Sequence, residues 1–213
     1  IIIANSTQMK KNIGGMCFNK KKIKLLLNMN IKKINNNINK KKNIFLSVGR
    51  LCKQKNQSLI IKSFNYFYKF KKNFTLLIIG DGPDKEKLKK MINYYKLNQN
   101  IKILGWKKNI KKYYDDSKYF ILPSLYEGLP NVLIEALNSS LVVYSTNVSG
   151  VSDIYGKNFF LINKKNHLIL GKKMIKVTNN YHENLKTLKK QRKRLKFFLN
   201  TNLAKEYIKI LSN

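Results

Sequence analysis

Between Ile44 and Ile162, short apolar runs alternate with longer stretches of helical periodicity, and this alternation leaves few folds open to the chain. Ile44 to Val48, Thr75 to Ile79, Ile101 to Leu104, Tyr119 to Leu122, Leu141 to Ser145 and Phe159 to Ile162 each read as a buried strand. One helical pattern follows Asn56, a candidate cap, and carries Ile60, Phe64, Phe67 and Tyr68 on one face. A second covers Asp84 to Tyr95, with Leu88, Met91, Ile92 and Tyr95 on one side. A short third runs from Ile110 to Asp116, and a fourth opens at Pro130. Strands that alternate with helices pair in parallel, because a parallel pair needs a long crossover and a cover on both sheet faces. Right-handed crossovers then give an α/β fold with a doubly wound, Rossmann-like parallel sheet. Ligands of such sheets bind beyond the carboxyl ends of the strands, so the loops that leave the strands carry the chemistry.

The flanks read differently. Residues 1–4 form the tail of a strand, residues 7–17 a short helix behind Ser6 and Thr7, and Lys22 to Leu27 a short strand. Residues 32–43 are Lys and Asn with scattered Ile and read as a loop. Residues 165–213 form a helical tail. Its first helix carries Leu168, Leu170, Met174 and Ile175, and its second Leu185, Leu188, Leu195, Phe198 and Leu199. Its last carries Leu203, Tyr207, Ile208 and Leu211.

The chemistry concentrates in Ser124 to Leu137, SLYEGLPNVLIEAL, where a strand, a tight loop and a helix follow one another. Pro130 suits the first helical position, which has no amide bond to lose. The free amides there offer an anion site. Gly128 lets the backbone approach a ligand closely. Glu135 sits in an apolar helix, and its carboxylate needs a donor or water. Read alone, Asn131, Glu135 and Asn138 fit an exposed stripe equally well, and Glu127 fits an ordinary loop acid.

The string EGLPNVLIEAL resembles the paired-glutamate signature of glycosyltransferase family 4, retaining enzymes of the GT-B fold. The resemblance implies that Glu127 touches the donor sugar and Glu135 holds the ribose hydroxyls of a nucleoside-diphosphate sugar. It places the amides of Gly128 and Leu129 towards sugar and diphosphate, beside Pro130 and Asn131. Gly49-Arg50-Leu51 and Lys55 resemble the pattern whose Arg and Lys grip the diphosphate. Fixed cations there stabilise the charge that builds as the sugar leaves, and an Arg fork fits phosphate. Gly80-Asp81-Gly82-Pro83 resembles the turn bordering the nucleotide, with a mainly structural role and Gly80 nearest the ligand. Gly105 marks the backbone that meets the base, whereas Trp106 reads as a half-buried packing residue. The loop Thr146 to Gly150, followed by Asp153 and Ile154, resembles the family's glycine-paired loop. Ser149, Ser140 and Val142 depart from the usual Gly, Gly and Pro. If the loop needs a left-handed backbone at position 149, Ser149 costs about 1 kcal/mol there.

By the same resemblance, residues 1–31 correspond to the end of an acceptor domain and the linker. Residues 32–43 form a loop, 44–164 the donor-binding domain and 165–213 the C-terminal helices. Most of the acceptor domain is then expected to be missing from the chain. The expected partners are a nucleotide sugar and a glycan or lipid-linked acceptor, with no cofactor beyond the donor substrate and no metal. Neither His167 nor His182 has an acid or Cys at ligand spacing, and both read as surface residues.

The net charge of +34 first suggests nucleic acid or an anionic membrane. Nearly all of it is Lys, with Arg only at Arg50, Arg192 and Arg194, and the chain is crowded with Asn and Ile. That pattern fits a genome-wide base-composition bias better than a built polycation, and base readout favours Arg. Specific nucleic-acid binding is therefore not expected, and Gln191 to Arg194 reads as a solvated helix face. Cys17 and Cys52 form no disulfide framework, which points to a reducing, cytoplasmic setting. No apolar run approaches the roughly 20 residues that span a bilayer. Peripheral contact with the inner face of a membrane remains compatible with the transferase reading. The rival readings are a nucleotide-sugar-binding module without activity and a basic RNA- or membrane-surface protein.

Overall fold

The structure of the chain, a computed structural model, describes residues 2–4, 7–16, 20–25, 40–148, 150, 151, 154, 161, 162, 166–195, 208, 209 and 212. Strand β1 (Ile2–Ala4) pairs in parallel with β2 (Ile23–Leu25), and helix α1 (Thr7–Met16) connects towards it. The main sheet contains β3 (Lys42–Val48), β4 (Thr75–Ile79), β5 (Ile101–Ile103), β6 (Ser117–Leu122), β7 (Val142–Thr146) and β8 (Leu161–Ile162). Its order is β5-β4-β3-β6-β7-β8, and every pairing is parallel. This is the doubly wound order: the chain runs outward from β3 to β5, crosses back to β6, and runs outward again. The strand order therefore reverses between β3 and β6, and the crevice beyond their carboxyl ends is the place for a ligand.

The helices are α2 (Gln57–Tyr68), α3 (Lys85–Tyr94), α4 (Lys111–Asp116), α5 (Asn131–Asn138), α6 (His167–Asn179) and α7 (Tyr181–Arg194). Strand alternation assigns side chains to faces. Phe45, Leu76, Ile78, Tyr119, Ile121, Val142 and Tyr144 join one core with α2, α3 and α6. Leu46, Ile79, Phe120, Leu122 and Val143 join the other with α4, α5 and α7.

Several local details differ from the sequence reading. Asn56 occupies the N-cap of α2, but its backbone is left-handed (φ 50°) and its side chain caps nothing. Pro130 is the N-cap of α5 rather than its first residue; at ψ 96° it is still extended, and the helix begins at Asn131. The loop read over 32–43 ends early, because β3 already begins at Lys42 and Lys41 is buried. Leu168 lies off the buried face of α6, where Leu170, Met174 and Val177 make the core contact. The readings at residues 32–39, 155–160, 196–207 and at Ser149 and Asp153 lie outside the described residues.

Candidate functional site

Three loops interlock at the carboxyl rim of the central strands. After β3, the Gly49 amide donates to Ile79 O at 3.0 Å and the Leu51 amide to Asp81 O at 2.9 Å. The Asp84 amide returns a bond to Leu51 O at 3.0 Å, and the Gly80 amide donates to Gly105 O at 2.9 Å. Gly80 is required by this packing: a Cβ there would stand 2.0 Å from Gly49 O, in a backbone at φ +141°. The loop after β6 is stapled to the same assembly. The Leu125 amide donates to Gln54 O at 2.8 Å, and Gln54 Nε2 donates to Tyr126 O at 3.0 Å. Gly150 presses onto the β6 loop from the other side, where a Cβ would overlap Gly128 O at 1.5 Å.

Glu127 is held where these loops meet. Its Oε1 accepts from Lys55 Nζ at 2.6 Å and from Ser124 Oγ at 2.5 Å. The Ser124 carbonyl in turn accepts from Thr146 Oγ1 at 2.5 Å, which ties the loop to the end of β7. The Glu127 side chain is 7% exposed and that of Lys55 20%. An ion pair this sheltered from water is felt strongly by either partner if the other is removed. The Lys55 stem lies over Gly49, with its Cδ and Cε 3.5 Å from the position of a Cβ. Arg50 stands exposed in the same loop, and its guanidinium has no partner among the described residues. The amides of Gly128, Leu129, Asn131 and Val132 also lack hydrogen-bond partners among the described residues, while that of Leu133 turns back onto Pro130 O. The rim thus presents an exposed cation, a paired cation, free amides and one fixed carboxylate. That set suits a ligand with adjacent phosphate and hydroxyl groups.

Glu135 stands one helical turn beyond Asn131 and meets a different partner. Tyr114 on α4 donates its hydroxyl to Glu135 Oε2 at 2.9 Å. Burial, followed by the adjacent Glu135 charge, pushes the Tyr114 hydroxyl far above the ordinary phenol range, so it remains a donor. Glu135 Oε1 has no partner among the described residues.

A family described as group 1 glycosyl transferases matches residues 28–195 of this chain. The chain belongs to that family. A glycosyltransferase of Methanocaldococcus jannaschii, itself described as uncharacterized, is 42% identical over 125 residues, covering 59% of this chain and 31% of that protein. A second relative comes from Campylobacter jejuni and is described as an N-acetylgalactosamine-N,N'-diacetylbacillosaminyl-diphospho-undecaprenol 4-alpha-N-acetylgalactosaminyltransferase. It is 31% identical over 176 residues, covering 80% of this chain and 47% of that one. The chain spans less than half the length of either relative. In fold it is similar to Staphylococcus aureus TarM in complex with UDP, with a TM-score of 0.89 at 23% identity over 99% of this chain and 43% of TarM. It is also similar to Anabaena HepE in complex with UDP and glucose, with a TM-score of 0.84 at 16% identity over 100% of this chain and 63% of HepE.

In this group 1 glycosyltransferase chain, the structure brings Lys55 and Glu127 into contact, while Arg50 lies exposed in the loop that carries Lys55. Glu135 contacts α4 instead. Gly49, Gly80 and Gly105 line up along the β3, β4 and β5 loops, and Gly128, Leu129, Pro130 and Asn131 form the entry to α5. Trp106 is not half-buried. It is 71% exposed, because β5 is an edge strand that ends at Ile103 and leaves the loop without cover. The exposed stripe read over Asn131, Glu135 and Asn138 does not form, since Asn138 is buried at the end of α5 and Glu135 is half-buried. Gln191 to Lys193 is not a uniformly solvated face: Gln191 is 0% exposed, and Arg192 reaches Asn138 O at 3.4 Å. His182 is at the surface and His167 is half-buried.

Sequence reading assigned no role to Tyr114, Ser124 or Thr146. Ser124 carried a signal, standing three residues before Glu127 in the loop. Tyr114 carried none, because its partner is 21 positions away on another helix. Ser140 does adopt the left-handed backbone (φ 61°) normally given to Gly. It follows α5 in a helix-ending turn, with Ser140 N on Leu137 O and Leu141 N on Ala136 O, both at 3.0 Å.

Proposed function

We propose that the chain is the donor-binding half of a retaining glycosyltransferase that moves a sugar from a nucleoside-diphosphate sugar to a glycan or lipid-linked acceptor. One observation carries the reading: Glu127 is fixed by Lys55 and Ser124 at the switch point of a doubly wound sheet, beside free loop amides. In this reading the diphosphate lies against the amides of Gly128 and Leu129, between Arg50 and Lys55, with Gly49 and Gly80 beneath it. As the sugar–oxygen bond breaks, negative charge grows on the leaving phosphate. Arg50 and Lys55 offset it most strongly once water is displaced.

Lys55 is shared. In the free chain it neutralises Glu127, and on donor binding it turns part of its charge to the phosphate, leaving the Glu127 carboxylate to accept from a sugar hydroxyl. Glu135 takes the ribose hydroxyls, and the backbone at Gly105 meets the base. The acceptor attacks from the face the phosphate leaves, which retains the anomeric configuration. Its own binding groups belong to the other half of the protein. The diphosphate charge is met by side chains and amides, so the reading needs no metal. Uridine is the first base to test, because TarM, HepE and a pneumococcal O-GlcNAc transferase of similar fold were each solved with UDP. No helix among the described residues is long and apolar enough to cross a membrane. The reading places the protein in the cytoplasm, with a lipid-linked acceptor met at the inner membrane face by peripheral contact.

A thermal-shift screen of UDP-, GDP- and ADP-sugars against this chain tests the proposal. One class should raise the melting temperature, and Lys55→Met and Glu135→Ala should each diminish the rise. Absence of any shift at millimolar donor would sink the donor-binding reading. Efficient sugar transfer by residues 1–213 alone would refute its restriction to one half.

A further inference from the structure

We propose that Lys41 is a positioning residue for Glu135: its ammonium closes the end of α4 and thereby holds the Tyr114 hydroxyl against the carboxylate. This rests on the reading of Glu135 as the pentose-binding acid.

Lys41 is 5% exposed, although Lys40 and Lys42 on either side of it are exposed. Its Nζ donates to Tyr114 O at 2.8 Å, Asp115 O at 3.0 Å and Ser117 O at 3.0 Å. An ammonium has three donors, and all three are spent on carbonyls at the end of one helix. Two of them, Tyr114 O and Asp115 O, would otherwise be orphans of the last turn. Burial lowers the Lys41 ammonium to about 8, against the pull of Asp115 and Asp116. A charge kept in so dry a place is an expensive way to end a helix that solvent could finish.

Tyr114 explains the use of that charge, because it is gripped at both ends. Its carbonyl accepts from Lys41, and its hydroxyl donates to Glu135 Oε2 at 2.9 Å. Its ring packs at 5.9 Å from Phe120, and it is 3% exposed. Helix α4 spans only Lys111–Asp116, too short to fix its own orientation. Ser117 Oγ donates to another carbonyl of the turn, that of Tyr113, at 2.6 Å. With the turn locked, the phenol keeps Glu135 Oε2 at 2.9 Å as its nearer acceptor and Val132 O at 3.4 Å as its farther one, and Glu135 Oε1 has no partner among the described residues. A carboxylate so oriented accepts from a pentose hydroxyl without first paying rotamer entropy.

The test measures dissociation constants by isothermal titration for UDP, 2′-deoxy-UDP and 3′-deoxy-UDP, on wild type, Lys41→Met, Tyr114→Phe and the double variant, with melting temperatures alongside. Wild type should prefer UDP over at least one deoxy analogue by about tenfold, the scale of a hydrogen bond to a charged group. Lys41→Met and Tyr114→Phe should each cut that preference to about twofold while leaving affinity for the deoxy analogue unchanged. The double variant should be no worse than either single one. A wild type without any ribose preference would remove the reading of Glu135 and this inference with it. A preference that survives Lys41→Met and Tyr114→Phe, with only the melting temperature lowered, would make Lys41 structural and leave the donor reading standing. Tyr114→Phe removes a single hydroxyl and keeps the ring, so it reads the coupling even if Lys41→Met folds poorly.

Discussion

The two faces of the sheet are built from different materials. The face under α2, α3 and α6 is aromatic. Phe45 lies 4.7 Å from Tyr119, 5.3 Å from Phe67 and 5.6 Å from Phe74, ring centre to ring centre. The face under α4, α5 and α7 is mainly aliphatic, but it shelters polar groups: Lys41, Tyr114, Asn138 and Ser140. The first face spends most of its burial on ring contacts and apolar area, although it also covers Gln57, Ser63 and the Tyr144 hydroxyl. The second sets polar groups in a low-dielectric surrounding, where each hydrogen bond is stiffer and each vacancy costs more. Cohesion and chemistry are thus divided across a sheet one residue thick, and neighbouring residues of a single strand serve one or the other.

Substitutions on the two faces should separate stability from ligand affinity. The largest effect belongs to Phe45→Ala, which should cost about 4 kcal/mol in denaturant unfolding. Nucleotide affinity of the protein that remains folded should not change; a parallel loss of affinity would break the division. Next comes Glu127→Ala, tested in a protein joining this chain to an acceptor-binding half. Turnover should fall on the order of a hundredfold, while nucleotide affinity changes little. A loss confined to affinity would move Glu127 out of the reaction. Glu135→Ala should show the opposite pattern, weakening nucleoside-diphosphate binding about tenfold by titration calorimetry. The smallest change is Ser140→Gly. It relieves a left-handed serine and removes a hydroxyl that is 0% exposed and unpaired among the described residues. The protein should gain about 1 kcal/mol, with ligand affinity unaltered. A destabilised glycine variant would show that the second face values that hydroxyl.

Much of the fold was legible because it rests on local periodicity. Thr75 to Ile79 reads as a strand from its five apolar and β-branched residues alone, and the structure agrees to the residue. The motif around Glu127 was legible for a similar reason, since loop, turn and helix start are contiguous. The failures have a different origin. Lys41 looks like any other lysine of a basic stretch, and its carbonyl partners lie 73 to 76 positions later. Trp106 was read as half-buried by its size and apolar character, but the edge position of β5 leaves nothing to cover it. Gln191 was read with its basic neighbours as solvated, and the packing of α7 buries it completely.

From the sequence alone came the strand and helix order, the parallel sheet, and the loops in which a ligand site could lie. These follow from side-chain periodicity and from the steric habits of Gly and Pro, which act over a few residues. Only the tertiary structure decided that Lys55 would neutralise Glu127, that Tyr114 rather than water would hold Glu135, and that Lys41 would leave solvent to close α4. Those choices depend on which distant groups arrive within about 3 Å of each other in a dry place, and residues far apart in the chain are brought that close only by the fold.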